Sequence, residues 1–141
     1  MTIYQISIFL ENKYGKLSEI LSILTQENIR IIAATVADTS EYGILRIIVN
    51  EPQKAFQLLK DNNISANISD VVAIQTDPTT EDFARTLTLL TKAGISIEYM
   101  YCFSVKEKAI LILKTNNWDA TRDVIRRENI RCINEGELVN L

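Results

Sequence analysis

Apolar residues fall at every second position near the start of the chain. Ile6, Ile8 and Leu10 within Ile3–Leu10 predict a strand. Leu17, Ile20, Leu21 and Leu24 then follow the i, i+3, i+4, i+7 spacing of an amphipathic helix. The β-branched and apolar run Ile29–Asp38 reads as a second strand, broken by Thr39–Gly43 before Ile44–Val49 resumes as a third. Pro52 opens a second helix, in the first turn where its missing N–H costs no bond, and Ala55, Phe56, Leu58 and Leu59 give that helix its buried face. Ile64–Ile68 closes the unit as a fourth strand. The order is β-α-β-β-α-β, the split βαβ arrangement of ferredoxin-like folds.

This unit occurs twice. Four helical stretches end in Asn or Gly followed by Ile, at Asn28-Ile29, Asn63-Ile64, Gly94-Ile95 and Asn129-Ile130. Asn and Gly tolerate the left-handed conformation that closes a helix. Asn28 and Gly94 stand 66 positions apart, as do Asn63 and Asn129. The same offset carries Ile6 and Ile8 onto Val72 and Ile74, Leu17, Leu21 and Leu24 onto Phe83, Leu87 and Leu90, and Ile31 onto Ile97. It also carries Leu45 and Ile47 onto Leu111 and Leu113, and Leu58 and Leu59 onto Val124 and Ile125. The chain therefore reads as a gapless duplication of class α+β, with modules at 1–70 and 71–141. The second module is expected to hold strands near Val71–Gln75, Ile95–Ser104, Ala109–Thr115 and Ile130–Ile133. Its helices are expected near Thr80–Ala93 and Asp119–Glu128.

A module this small buries only about 60% of its unfolded surface and is marginal alone. The fold orders its strands 4-1-3-2, which leaves the second strand at an edge, and an apolar edge is a liability unless covered. Joining Ile29–Asp38 edge to edge with Ile95–Phe103 gives one eight-stranded antiparallel sheet with helices on one face. Ile110 and Ile112 point one way and Leu111 and Leu113 the other, while helices cover only one face. Either long side chains shield the uncovered face or it stacks on a second copy, and the latter predicts a homodimer.

Composition narrows the chemistry. The chain of 141 residues is 47% hydrophobic and 23% charged, with a net charge of −3. Lys and Arg are scattered rather than gathered into a basic stripe, which argues against nucleic acid. No apolar run reaches the ~20 residues that span a bilayer, and the N-terminus lacks the features of a signal peptide, so neither a membrane partner nor export is expected. With no histidine and two cysteines 30 positions apart, no Ser-His-Asp arrangement and no ordinary zinc site can form. Four glycines, at 15, 43, 94 and 136, make no phosphate-binding loop. Neither catalysis nor a cofactor nor a metal is expected. Cys102 and Cys132 read as small buried hydrophobes in a cytoplasmic protein, and Trp118 as a packing anchor.

The loop Glu11–Leu17 carries the candidate site. Gly15 stands directly before a helix, whose N-terminus offers unpaired N–H groups and about half a positive charge to a carboxylate. Asn12 could accept from an ammonium group. The same two residues also serve as ordinary turn and cap residues. Asn12-Lys13-Tyr14-Gly15-Lys16-Leu17 resembles the Asp/Asn-x-Pro-Gly-x-Leu signature of ACT domains, with Tyr14 in place of proline. Ala37–Arg46 resembles the second-to-third strand turn of stand-alone tandem ACT proteins, and Ile97–Tyr101 is similar to the matching strand of their second copy. The resemblance covers essentially the whole chain.

It implies a non-catalytic sensor of amino-acid metabolism. In that family an amino acid binds between the first-loop glycine of one module and the edge strand of its neighbour. Carried onto this chain, the site comprises Asn12, Lys13, Tyr14, Gly15, Lys16 and Leu17, walled by Ile97, Tyr99, Met100 and Tyr101. An enzyme of amino-acid metabolism is the implied partner. The alternative is a ligand-free interaction subunit. Tyr99, Tyr101 and Phe103 share one strand face, as core or as pocket lining. In the second loop, Glu81 and Asp82 replace Gly15 and Lys16 and would repel a carboxylate, so no equivalent amino-acid site is expected there. Thr79 or Thr80 is its expected helix cap.

Overall fold

The computed structural model describes residues 2–11, 15–38 and 42–141. In chain order the elements are β1 (Ile3–Glu11), α1 (Lys16–Gln26), β2 (Ile31–Asp38), β3 (Tyr42–Val49), α2 (Pro52–Asp61) and β4 (Ala66–Thr76). They continue with α3 (Thr80–Lys92), β5 (Ile97–Val105), β6 (Lys108–Thr115), α4 (Trp118–Arg127), β7 (Cys132–Ile133) and α5 (Glu135–Val139). The chain forms two compact units, one of Tyr4–Ser69 and one of Asp70–Leu141 together with Met1–Ile3. The strand order is β2-β3-β1-β4 in the first unit and β7-β4-β6-β5 in the second. Antiparallel pairing joins β1 to β3, β2 to β3, β4 to β6, β4 to β7 and β5 to β6.

All four expected helix stops are present. Asn28, Asn63, Gly94 and Asn129 have φ of 56°, 59°, 77° and 51°. The isoleucine after each donates its N–H five residues back: Ile29 to Leu24 at 3.2 Å, Ile64 to Leu59 at 2.9 Å, Ile95 to Leu90 at 3.1 Å and Ile130 to Ile125 at 3.0 Å. This is the Schellman closure, and it turns each chain end back so that the isoleucine packs toward the core.

The strand after the first helix of each unit is irregular at one point. The register shifts between Ile31 and Ala33 in β2, and between Ile97 and Tyr99 in β5. Both strands are tied at their start by an asparagine. The Asn50 side chain accepts from Arg30 N–H at 2.9 Å and the Asn116 side chain from Ser96 N–H at 3.0 Å.

One core lies between sheet and helices in each unit. In the first, Ile6, Ile8, Leu45 and Ile47 meet Ile20, Leu24, Ala55 and Leu59. In the second, Val72, Ile74, Leu111 and Leu113 meet Leu90, Val124 and Ile125, with Trp118 packed alongside as expected.

Three expectations change. Eight strands become seven, because Ile64–Ile68 and Val71–Gln75 merge into the single strand β4. No Gly or Pro separates them, and Ser69-Asp70 sits within the run without breaking it. The argument for a homodimer from an open sheet face also loses its footing: Ala73, Ile110 and Ile112 are already buried in the single chain. Finally, a short helix α5 closes the chain, unpredicted from sequence. Its signal was Asn134-x-x-Glu137, a reciprocal capping box with Glu137 N–H donating to the Asn134 side chain at 2.8 Å. No helix among the described residues is long and apolar enough to cross a membrane.

Candidate functional site

In the first unit α1 starts at Gly15, whose φ of 83° is left-handed and whose Cβ position meets no atom of the described residues within 4 Å. Gly15 as the N-cap residue brings no side-chain cap to this helix start. Its first-turn N–H groups are therefore those that a bound anion would satisfy. Lys16 adds a positive charge, in loose contact with Glu19 at 3.6 Å. Asn12, Lys13 and Tyr14 lie outside the described residues. Leu17 and Leu21 of α1 and Ile31 and Val36 of β2 are exposed at 37–49%. Ile31 and Val36 pair with Val49 and Leu45, so they stand on the helix-side face of this edge strand. On the other face Phe9 and Tyr42 stack with centroids 4.8 Å apart.

The second unit closes the same corner from within. Thr79 caps α3 by accepting from Asp82 N–H at 3.2 Å, as expected. The Asp82 carboxylate accepts from Asp77 N–H at 2.8 Å and pairs with Arg85. The Arg85 guanidinium, then the Asp77 N–H, hold the Asp82 carboxyl below its ordinary value. Lys108 Nζ reaches Asp77 Oδ1 at 2.5 Å, and that bond pushes the Lys108 ammonium up. The charges are inverted between the two corners: Lys16 and Glu19 in one, Asp82 and Arg85 in the other.

This second corner also holds a cavity of about 320 Å³, lined among others by Pro78, Thr80, Phe83, Cys102, Ser104 and Ala109. Sequence reasoning missed it. The signal was in the repeat, where Leu10 and Val36 of the first unit become the smaller or more polar Thr76 and Cys102 of the second. Cys102 is a correction: it is exposed, because β5 is an edge strand and Cys102 lies at the rim of the cavity. Cys132 is half-buried, and desolvation raises its thiol.

The four expected wall residues do not share a face. Met100 pairs with Leu113 and packs with Ile97 against the helix-side core, whereas Tyr99 and Tyr101 pair with Lys114 and Ile112 on the opposite side. Phe103 joins the two tyrosines there, opposite Ile110. Among the described residues no group of three or more acidic or cysteine side chains could hold a metal.

Against known proteins, the family model described as an ACT domain pair matches residues 1–141. A crystal structure of a Bacteroides thetaiotaomicron protein is similar at 38% identity and a TM-score of 0.95, covering 100% of this chain and 98% of that one. The aspartate kinase regulatory subunit of Thermus thermophilus, in its ligand-free form, shares the fold at 15% identity and a TM-score of 0.63, over 89% of this chain and 91% of that one. Its counterpart from Thermus flavus gives 15% and 0.62, over 90% and 92%. None of the curated proteins is a match.

Proposed function

Since this chain belongs to the family of ACT domain pairs, we propose that it is a non-catalytic, cytoplasmic sensor that binds an amino acid and regulates an enzyme of amino-acid metabolism. The observation that carries the reading is the start of α1. Gly15 brings the helix no side-chain cap and its Cβ position meets no atom of the described residues, whereas the duplicated helix α3 is capped by Thr79 and made acidic by Glu81 and Asp82. An α-carboxylate fits the first and is refused by the second.

The ligand lies between the loop Asn12–Leu17 of one module and the edge strand Ile97–Tyr101 of a neighbouring one. We place that neighbour on a second copy, in a homodimer whose β2 and β5 edges meet and extend the sheets. The support is that β2 and β5 each end the strand order of their unit, and that Ile31 and Val36 leave an apolar edge exposed. Regulatory subunits of aspartate kinase with the same fold are consistent with a regulatory role without a catalytic domain. Two unpaired cysteines fit a reducing compartment.

The test is calorimetry and thermal shift against the twenty amino acids, with wild type and Gly15→Asp. Asp tolerates the left-handed backbone but puts a carboxylate where the ligand's would sit. A ligand at 100 times its Kd stabilises wild type by about 2.7 kcal/mol, and the variant is expected not to respond. No response to any amino acid at millimolar concentration favours the second reading, a ligand-free interaction subunit. That reading draws on the exposed Leu17, Leu21, Ile31 and Val36.

A further inference from the structure

We infer that the amino acid bound at the head of α1 carries an aliphatic side chain, which lies against Leu17 and Val36. This rests on the sensor reading above and names the class of its ligand. The two units repeat each other closely enough for one to locate the walls of the other. Offset by 66 residues, β2, β3 and α2 begin at the equivalents of the first residues of β5, β6 and α4, and α1 ends at the equivalent of the last residue of α3. The pairing repeats as well. Leu10 lies opposite Gly43 as Thr76 lies opposite Ala109, and Val36 opposite Leu45 as Cys102 opposite Leu111. In the second unit Phe83, Cys102 and Ala109 line one cavity. Their equivalents Leu17, Val36 and Gly43 flank the same place in the first unit, between the head of α1 and the edge strand β2.

The chemistry of that place changes between the units. Phe83 packs against the core of its unit, whereas Leu17 stands 38% exposed. Cys102 is replaced by the more apolar Val36, which is 49% exposed, and Ala109 by Gly43, which takes a methyl group from the floor. Leu21, one turn further along α1, is exposed too and continues the apolar surface. A carboxylate seated on the first-turn N–H groups of α1 leaves the rest of the amino acid to lie on this surface. An aliphatic side chain leaves water together with Leu17 and Val36, and binding gains in proportion to the apolar area removed. A hydroxyl or a charge set there gives up its hydration against carbon. Asp38, opposite Gly43 in the register, makes lysine the rival to exclude.

The test is calorimetric titration of the full chain with the twenty amino acids, read within pairs of one shape: valine with threonine, and leucine with asparagine. In wild type the aliphatic member of a pair is expected to bind roughly tenfold or more tightly than its polar isostere, and lysine more weakly than either aliphatic member. Val36→Thr keeps the shape of the wall and adds a hydroxyl, and is expected to bring the ratio within each pair down about tenfold. Leu17→Gln, at an exposed position of α1, is expected to act in the same direction, with melting temperature as the control on folding. A fault in dimer formation lowers both affinities of a pair together and leaves their ratio unmoved. Phe9→Ser, on the opposite face of the sheet, is expected to leave the ratio as in wild type. The inference falls, and the sensor reading stands, if an amino acid of another class binds wild type as tightly as the aliphatic ones. It falls in the same way if the ratio is unmoved in folded Val36→Thr and Leu17→Gln, or if Phe9→Ser lowers it as much. No binding by any of the twenty at millimolar concentration overturns both.

Discussion

The hydroxyls of Thr115 and Thr121 lie 2.7 Å apart in the core of the second unit, at the positions that Val49 and Ala55 fill in the first. Thr121 also donates to the Asn117 carbonyl at 2.7 Å. The duplication thus holds a polar and an apolar solution to the same packing problem. Thr121→Ala alone strands the Thr115 hydroxyl and is expected to cost about 1–3 kcal/mol. Thr115→Val with Thr121→Ala reproduces the first unit's pair and is expected to recover most of that loss. Denaturant unfolding of both single variants and the double variant gives the coupling. Additive losses would show that the two hydroxyls do not act as a pair.

The helix stops predict a substitution that should cost nothing. Three of the four left-handed closures use Asn and one uses Gly94. Gly94→Asn is therefore expected to leave stability within about 0.5 kcal/mol of wild type, whereas Gly94→Val meets the left-handed penalty of about 1–2 kcal/mol. Chemical melts distinguish the two. An equal loss in both would mean that something other than the backbone sets the choice at this position.

Asp82 predicts a dependence on acid. Its carboxyl is held below the ordinary value by Arg85 and by Asp77 N–H, so the folded state favours the ionised form. For a lowered carboxylate, the stabilisation is fully present above the unfolded value of about 3.9 and is lost as pH falls through the folded value. The melting-temperature gap between wild type and Asp82→Asn is expected at pH 7 and should shrink below about pH 4. A gap that stays constant down to pH 2 would remove the assignment.

The two cysteines should differ sharply in reactivity. Cys102 is exposed, while burial raises the Cys132 thiol and lowers its share of thiolate. Iodoacetamide at pH 8 is expected to alkylate Cys102 first, as read by peptide mass spectrometry. Labelling of Cys132 at an equal or faster rate would contradict this placement.

The amino-acid sequence by itself determined features that depend on neighbours along the chain, above all the helix ends. The left-handed Asn and Gly residues mark four helix ends, because a closure is made by the last turn and the two residues after it. The Thr79 cap and the acidic first turn of α3 are likewise local, and so is the duplication that repeats them after 66 residues. Tertiary structure decided what depends on residues far apart. Cys102 looked like a small buried hydrophobe, but strand order placed it on an exposed edge. Ile97 and Tyr99 should share a face by alternation, but the register shift between them set them on opposite faces. Spacing gives the direction of a side chain within its element, but burial is decided by what the rest of the fold brings against it.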